Sequence, residues 1–230
     1  GDVLDVALSR AVDELFEEQD AIAILTELEK RNLFIQRLEP INASPRFKYH
    51  RLFKDFLVQD LIKTHGQEYY QDLFRRIGRV FWDQHDHASA MKYFIEAQAY
   101  SDMVQIIKKR GTDYIITGKL SGLSAWIDHL PGESIDADPW IGFFSTVTQR
   151  IKGGKKNIQQ FQTALEQFKQ VQDTKGILLS IGYLIEAAVF VRQSSQSILK
   201  WIEQGEFHLE ETAPKDRYPW ARALLLQQIG

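Results

Sequence analysis

Hydrophobic residues recur along most of this chain at spacings of three and four, the period of an amphipathic helix. The exception lies near the N-terminus. Residues 2–12 carry a short helical pattern with Val3, Leu4, Val6, Ala7 and Leu8, and a stronger helix is expected from Glu14 to Arg31. Its stripe is Ile22, Leu25 and Leu28, widened by Ala21 and Ile24, and Asn32 ends it. Leu33 to Leu38 then reads as a strand, Pro40 to Pro45 as a turn by composition, and Arg46 to Tyr49 as the returning strand of a hairpin. Next, Leu52, Phe53, Phe56 and Leu57 are spaced to share one face of a helix whose Arg51, Lys54 and Asp55 point away. The order helix, helix, strand, turn, strand, helix is the ingredient list of a winged-helix domain, assigned to residues 1–64.

From His65-Gly66 onward the pattern is helical throughout. Helices are expected over Gln67–Asp83, with Tyr70, Leu73, Phe74, Ile77 and Phe81 inward, and over Ala88–Ala97. Ser101–Arg110 follows with Ser101 as N-cap. Short helices are expected near Thr112–Thr117 and Leu120–Leu130, a loop over Pro131–Pro139, and a helix over Trp140–Lys152 broken by Gly153-Gly154. Lys156–Gln170, Thr174–Arg192, Ser195–Gln204 and Tyr218–Ile229 complete the series. Helix pairs joined by short loops suggest an α-solenoid over residues 65–230. The small/large alternation of Ala88-Ser89-Ala90-Met91-Lys92-Tyr93-Phe94 is similar to the second helix of a tetratricopeptide repeat, but the period is irregular. The expected fold class is mainly α: a winged helix followed by a degenerate tetratricopeptide-like solenoid.

Composition narrows the function. The chain has 230 residues, 44% hydrophobic and 26% charged, which suits a packed globular protein. A net charge of −3 gives no bulk attraction to nucleic acid or anionic membrane. Cysteine is absent, which excludes disulfides and thiolate metal sites and is compatible with a cytoplasmic location. No apolar run approaches the roughly 20 residues of a membrane span, and the acidic start Gly1-Asp2-Val3-Leu4-Asp5 has no basic signal-peptide region. The last residues, Leu224 to Gly230, stop inside an apolar helical pattern, so the chain is expected to be a piece of something longer.

Candidate chemistry is sparse. Gly111 to Leu120 superficially resembles a phosphate-cradling loop, but six residues separate Gly111 from Gly118, and Leu120 stands where Ser or Thr must hold magnesium. Gly153-Gly154-Lys155-Lys156 reads as a helix break. His85-Asp86-His87, with Asp83 nearby, offers metal-ligand types, yet a solvated helix–helix turn explains them as well. Glu17-Glu18 and Glu210-Glu211 lie on charged, exposed stretches, and no nucleophile motif is present. Lys30, Arg31, Arg37, Arg46, Lys48, Arg51 and Lys54 cluster around the wing. The preceding helix carries Glu14, Glu17, Glu18, Asp20, Glu27 and Glu29, and phosphate would repel it, so direct DNA binding is not expected. The aromatics from Phe74 to Trp220 are expected mainly in the core, with any surplus on a solenoid groove.

His50 sits where the strand becomes a helix, near a helix N-terminus whose N–H groups point outward. It can share an anion with those donors; equally, it can cap its own helix or bond across the hairpin.

Two runs carry a family resemblance. They are Leu25-x-x-Leu28-Glu29-x-x-Asn32-Leu33-Phe34-Ile35 and Tyr49-His50-x-Leu52-Phe53-x-Asp55-Phe56-Leu57. They resemble the winged-helix segment of large bacterial ATP-dependent transcriptional regulators of the maltose-regulon-activator type, in the LuxR family and the STAND class of signal-transduction ATPases. Ala90-x-x-Tyr93-Phe94-x-x-Ala97, Leu123-x-x-Trp126-Ile127-x-x-Leu130-Pro131 and Pro139-Trp140 are similar to that family's passage into its helical-repeat sensor. The likeness covers about Leu25 to Arg150. It implies a non-catalytic regulatory and sensor piece, with the ATPase and DNA-binding domains outside these residues. No cofactor is expected here, and ATP or ADP only in the whole protein. The implied partners are an unknown effector, small molecule or protein, on the repeats, and further copies of the whole protein. Tyr49-His50-Arg51 also resembles the Met-His-Asp motif of related STAND proteins, with Tyr49 in place of Met and Arg51 in place of Asp, which implies that His50 contacts an ADP phosphate in the whole protein. The alternative is a helical-repeat protein-interaction scaffold unrelated to transcription.

Overall fold

A computed structural model describes residues 3–5, 18–31, 35–41, 44–211 and 218–229. The fold is mainly α: a winged helix with a three-stranded sheet, followed by paired helices. The chain divides into two compact units, Gly1–Met103 and Val104–Gly230. The residue 64/65 boundary expected from the sequence falls inside the first.

In the first unit, β1 (Val3–Asp5) and β2 (Ile35–Ile41) flank β3 (Ser44–Tyr49) in an antiparallel sheet. The helix expected over residues 2–12 is therefore corrected at its start: Val3, Leu4 and Asp5 pair with Lys48, Phe47 and Arg46. A run this short fits either period, and an open strand edge decides it. β2 and β3 reach further into the expected Pro40–Pro45 turn than composition suggests. The register shifts between Leu38 and Ile41, as at a bulge. Pro40 is tolerated there because β2 is an edge strand and an absent N–H breaks no ladder bond on the outer side. Helix α1 (Glu18–Lys30) lies against β2, and Leu25, Ile35 and Phe47 form a small core with Leu28 and Phe53 packed on it. Glu14 to Glu17, Asn32 to Phe34 and the turn residues Asn42 and Ala43 lie outside the described residues.

Helix α2 (Arg51–His65) begins one residue past His50. Its expected apolar face is not buried as a unit. Phe53 enters the core, while Leu52 is 72% exposed, Phe56 62% and Leu57 38%. Spacing places these residues on one side, and the small domain beneath has room for one of them. Helices α3 (Gln67–Asp83) and α4 (His87–Glu96) then pack as a hairpin in which Phe94 lies directly against Gly78. α3 has the bounds read from its apolar period.

α5 (Tyr100–Ile116) runs unbroken through Gly111, so the two helices expected over Ser101–Arg110 and Thr112–Thr117 are one. Ser101 is inside it rather than capping it. Gly111 does not stop the helix, because its bare backbone is where the Phe144 ring packs, leaving no space for a Cβ. α6 (Leu120–Ile127) follows, and the expected Pro131–Pro139 loop contains a short helix, α7 (Gly132–Ala137). Pro131 starts that turn with φ −65°, an angle preset for helix entry. α8 (Pro139–Gln149), α9 (Lys155–Gln170), α10 (Thr174–Phe190), α11 (Ser195–Glu211) and α12 (Pro219–Ile229) complete the second unit. α11 runs a full turn and more beyond the expected Gln204.

The second unit is organised around α10. Every residue from Gly176 to Ile185 is buried, because α9, α11 and α12 all pack on it. A helix apolar on all sides belongs in an interior. Among the described residues no helix is long and apolar enough to cross a membrane.

The helix ends share one joint. After α3, α4, α9 and α10 a single non-glycine residue turns left-handed: His85 (φ 62°), Gln98 (φ 52°), Gln172 (φ 54°) and Arg192 (φ 55°). In each case the following amide donates to a carbonyl five residues back, at 2.9 Å: Asp86 to Phe81, Ala99 to Phe94, Asp173 to Phe168 and Gln193 to Ala188. This pairs carbonyls that the helix C-terminus would otherwise leave open. Asp86 and Asp173 then cap the next helix at once, accepting from the Ser89 and Gly176 amides at 3.1 and 3.0 Å.

Candidate functional site

His50 stands between β3 and α2 in extended conformation (φ −64°, ψ 137°). Tyr49 before it pairs with Ile35, so the hairpin fixes the approach to the helix. The His50 carbonyl accepts from the Phe53 amide at 3.0 Å, which closes the first turn. Its side chain makes no capping bond to its own helix, and the residue is exposed. The first turn of α2 contains no acidic residue to compete with an anion for the helix N-terminus. Arg37 lies over the Phe47 ring, 5.2 Å from its centroid, and donates to Glu29 and Thr26 at 3.0 Å each. An exposed imidazole beside a helix N-terminus can receive one face of a phosphate.

The other sequence candidates disperse into structural roles. Gly111 lies within α5, and Gly118 (φ 70°) makes the turn after it, where the Lys119 amide donates to the Tyr114 carbonyl at 2.8 Å. No phosphate-cradling loop exists between them. Asp86 spends its carboxylate on the α4 cap, and His87 Nδ1 lies 2.8 Å from the His85 carbonyl. Among the described residues no group of three His, Asp or Glu side chains could hold a metal. Gly154 (φ 53°) precedes α9 as a break. Of the wing cations, Arg31 pairs with Glu27 at 2.8 Å and Arg37 with Glu29, while Lys30 and Lys48 are exposed. The side chains of Arg46, Arg51 and Lys54 lie outside the described set. Glu210 and Glu211 are exposed. Phe94, Phe143, Phe144, Phe161 and Phe168 are core, whereas Phe190 is largely exposed.

Residues 3–69, the sheet with α1, α2 and the start of α3, match the MalT winged helix domain family. The chain is also similar to the HTH-type transcriptional regulator MalT of Vibrio parahaemolyticus serotype O3:K6 (strain RIMD 2210633), 24% identical over 212 residues. That alignment takes in 91% of this chain and 23% of the relative, so the chain spans about a quarter of that protein's length. No solved structure matches the chain.

Downstream of the matched segment the structure joins residues that sequence left apart. Asp173 caps α10 with Oδ1, while Oδ2 accepts from Trp140 Nε1 at 2.8 Å. Lys175 lies over the Trp140 ring, 5.1 Å from its centroid, and donates to Thr112 at 3.0 Å. Burial pushes the Lys175 ammonium below its ordinary range, opposed by Asp173 and Asp113. Lys108 and Asp138 close the same region at 2.7 Å. The only sequence signal was Asp173 placed just before a helix; its indole partner is 33 residues away. A cavity of about 360 Å³ between α7, α8 and α9 is lined by uncharged polar groups, including Ser145, Thr146, Gln160, Thr163 and Gln167, beside Asp136.

Proposed function

We propose that this chain is a non-catalytic regulatory and sensor part of an ATP-dependent transcriptional regulator of the LuxR-family, STAND-class type. In this reading the winged helix couples the nucleotide state of an ATPase domain outside these residues to tetratricopeptide-like repeats that receive an effector or partner. The observation that carries the reading is the position of His50: an exposed imidazole at the mouth of α2, inside a segment matching the MalT winged helix domain. The similarity to a relative named as an HTH-type transcriptional regulator supports the regulatory role. Exposed Leu52, Phe56 and Leu57 on α2 suit contact with a neighbouring domain. The internal pairing of Arg31 and Arg37 supports a wing that does not itself read DNA. The whole protein would work in the cytoplasm and self-associate when activated.

The test is His50→Ala in the full-length regulator. ADP retention should weaken and basal activity rise, because one of the two phosphate receptors at the α2 mouth is gone. Unchanged ADP affinity, with only a lower melting temperature, would assign His50 a structural role. Isolated residues 1–230 should show no ATP turnover.

A further inference from the structure

The second unit contains a smaller cavity of about 220 Å³, bounded by Arg150, Ile151, Phe161, Tyr183, Glu186, Ala187 and Phe190. Its floor is aromatic: the Phe161 and Tyr183 rings stack at 5.5 Å. At its mouth Ile151 is 75% exposed and Phe190 65% exposed, two bulky apolar side chains left in water on either side of one opening. Beside them Arg150 Nε lies 3.6 Å from Glu186 Oε1. That is beyond hydrogen-bond length, and both groups are partly solvated, so the pair contributes little on its own and opens at small cost. The Tyr183 hydroxyl forms no hydrogen bond with another described residue, although the side chain is almost wholly buried. Burial first, and then Glu186, push this phenol up to about 12, against the opposing pull of Arg150, so it remains a donor at neutral pH.

Each ligand class can be weighed against this set. A plain carboxylate matches Arg150 but meets Glu186 with like charge. A plain amine has the reverse fault. An uncharged apolar molecule covers Ile151 and Phe190 but gains nothing from the ion pair. A molecule carrying both charges on one carbon, with an apolar branch, matches every group present.

We propose that this cavity binds a free α-amino acid with an apolar side chain, which names the effector class for the sensor reading above and rests on it. The carboxylate lies on Arg150 and the Tyr183 hydroxyl, the ammonium on Glu186, and the side chain on the Phe161 ring between Ile151 and Phe190. Each half of the loose ion pair exchanges its partner for a closer one.

Titration calorimetry on the intact chain tests this, with L-leucine as probe. Three controls each lack one feature or both charges: 4-methylpentanoate, L-leucinamide and N-acetyl-L-leucinamide. L-Leucine should bind saturably at one site and each control at least about tenfold more weakly, the loss expected of one charged hydrogen bond. Glu186→Gln should erase the preference over 4-methylpentanoate, and Arg150→Gln the preference over L-leucinamide. Both substitutions are at partly exposed positions, and circular dichroism melts verify that the fold is retained. Absence of leucine binding at millimolar concentration, equal binding of N-acetyl-L-leucinamide, or indifference to both substitutions overturns the assignment. Such a failure leaves the regulator reading standing if His50→Ala still alters ADP retention, whereas unchanged ADP retention in His50→Ala with intact leucine binding removes the nucleotide-coupling role of His50 and leaves an amino-acid site.

Discussion

Asp173 is the residue whose loss should be felt most clearly. One carboxylate serves two elements, capping α10 through the Gly176 amide and holding the Trp140 indole on α8. Replacement of an N-cap aspartate by alanine costs about 1 kcal/mol, and leaving a partly buried indole N–H unpaired costs about 1–3 kcal/mol. Asp173→Ala should therefore lower stability by about 2–4 kcal/mol. Asp173→Asn separates the two parts. Its side-chain oxygen can keep the cap, but its amide presents a donor to the indole donor, so about 1–2 kcal/mol should be lost. The assay is guanidinium unfolding at neutral pH of wild type, Asp173→Asn, Trp140→Phe and the double variant. A coupling energy of about 1 kcal/mol between the two sites is expected. Hydrogen exchange adds a local readout: the Gly176 amide should lose protection in Asp173→Ala and keep it in Asp173→Asn. Strict additivity in the cycle, or an Asp173→Asn protein as stable as wild type, would refute the account.

Gly111→Ala should destabilise by about 1–3 kcal/mol although alanine is the better helix former by about 1 kcal/mol, because its methyl meets the Phe144 ring; thermal melts decide the sign. Gln172→Gly, at a left-handed φ of 54°, should stabilise by about 0.5–1 kcal/mol in the same assay, since glycine reaches that region without a Cβ clash. Burial, and then Lys169, depress His208, so the folded state binds fewer protons than the unfolded one just below the ordinary histidine range. Stability should then fall as pH drops through that range towards the lower folded value, and His208→Gln should remove that part of the loss in unfolding experiments between pH 7 and 5. Glu211 opposes the shift and stays in place in the variant.

What sequence can carry is visible in the contrast between α3 and α2. For α3, the inward stripe from Tyr70 to Phe81 and the flanking Gly66 specify both the helix and its buried side, since its partner α4 follows within a few residues. For α2 the stripe was equally plain, but what covers it is not local, and Leu52 and Phe56 are left in solvent. β1 failed for the same reason: Val3 and Leu4 become strand only because β3 offers an edge some forty residues later. Gly111 misled in another way. Glycine signals both a stop and a close approach, and only the Phe144 ring distinguishes them. The place of His50 between β3 and α2 was legible because strand, helix start and histidine are contiguous. The Trp140–Asp173–Lys175–Thr112 set was not, since its members are scattered over 63 residues.

The joints that follow α3, α4, α9 and α10 have a mechanical consequence. Each is tied by a backbone hydrogen bond across the turn and leaves no slack chain between one helix and the next. A push on one helix of such a pair has no compliant linker in which to dissipate. It must move the neighbouring helix as well or break the bond that seals the helix end. A stack built this way behaves as a lever, and its spring constant is set by residues at the joints such as Gln172.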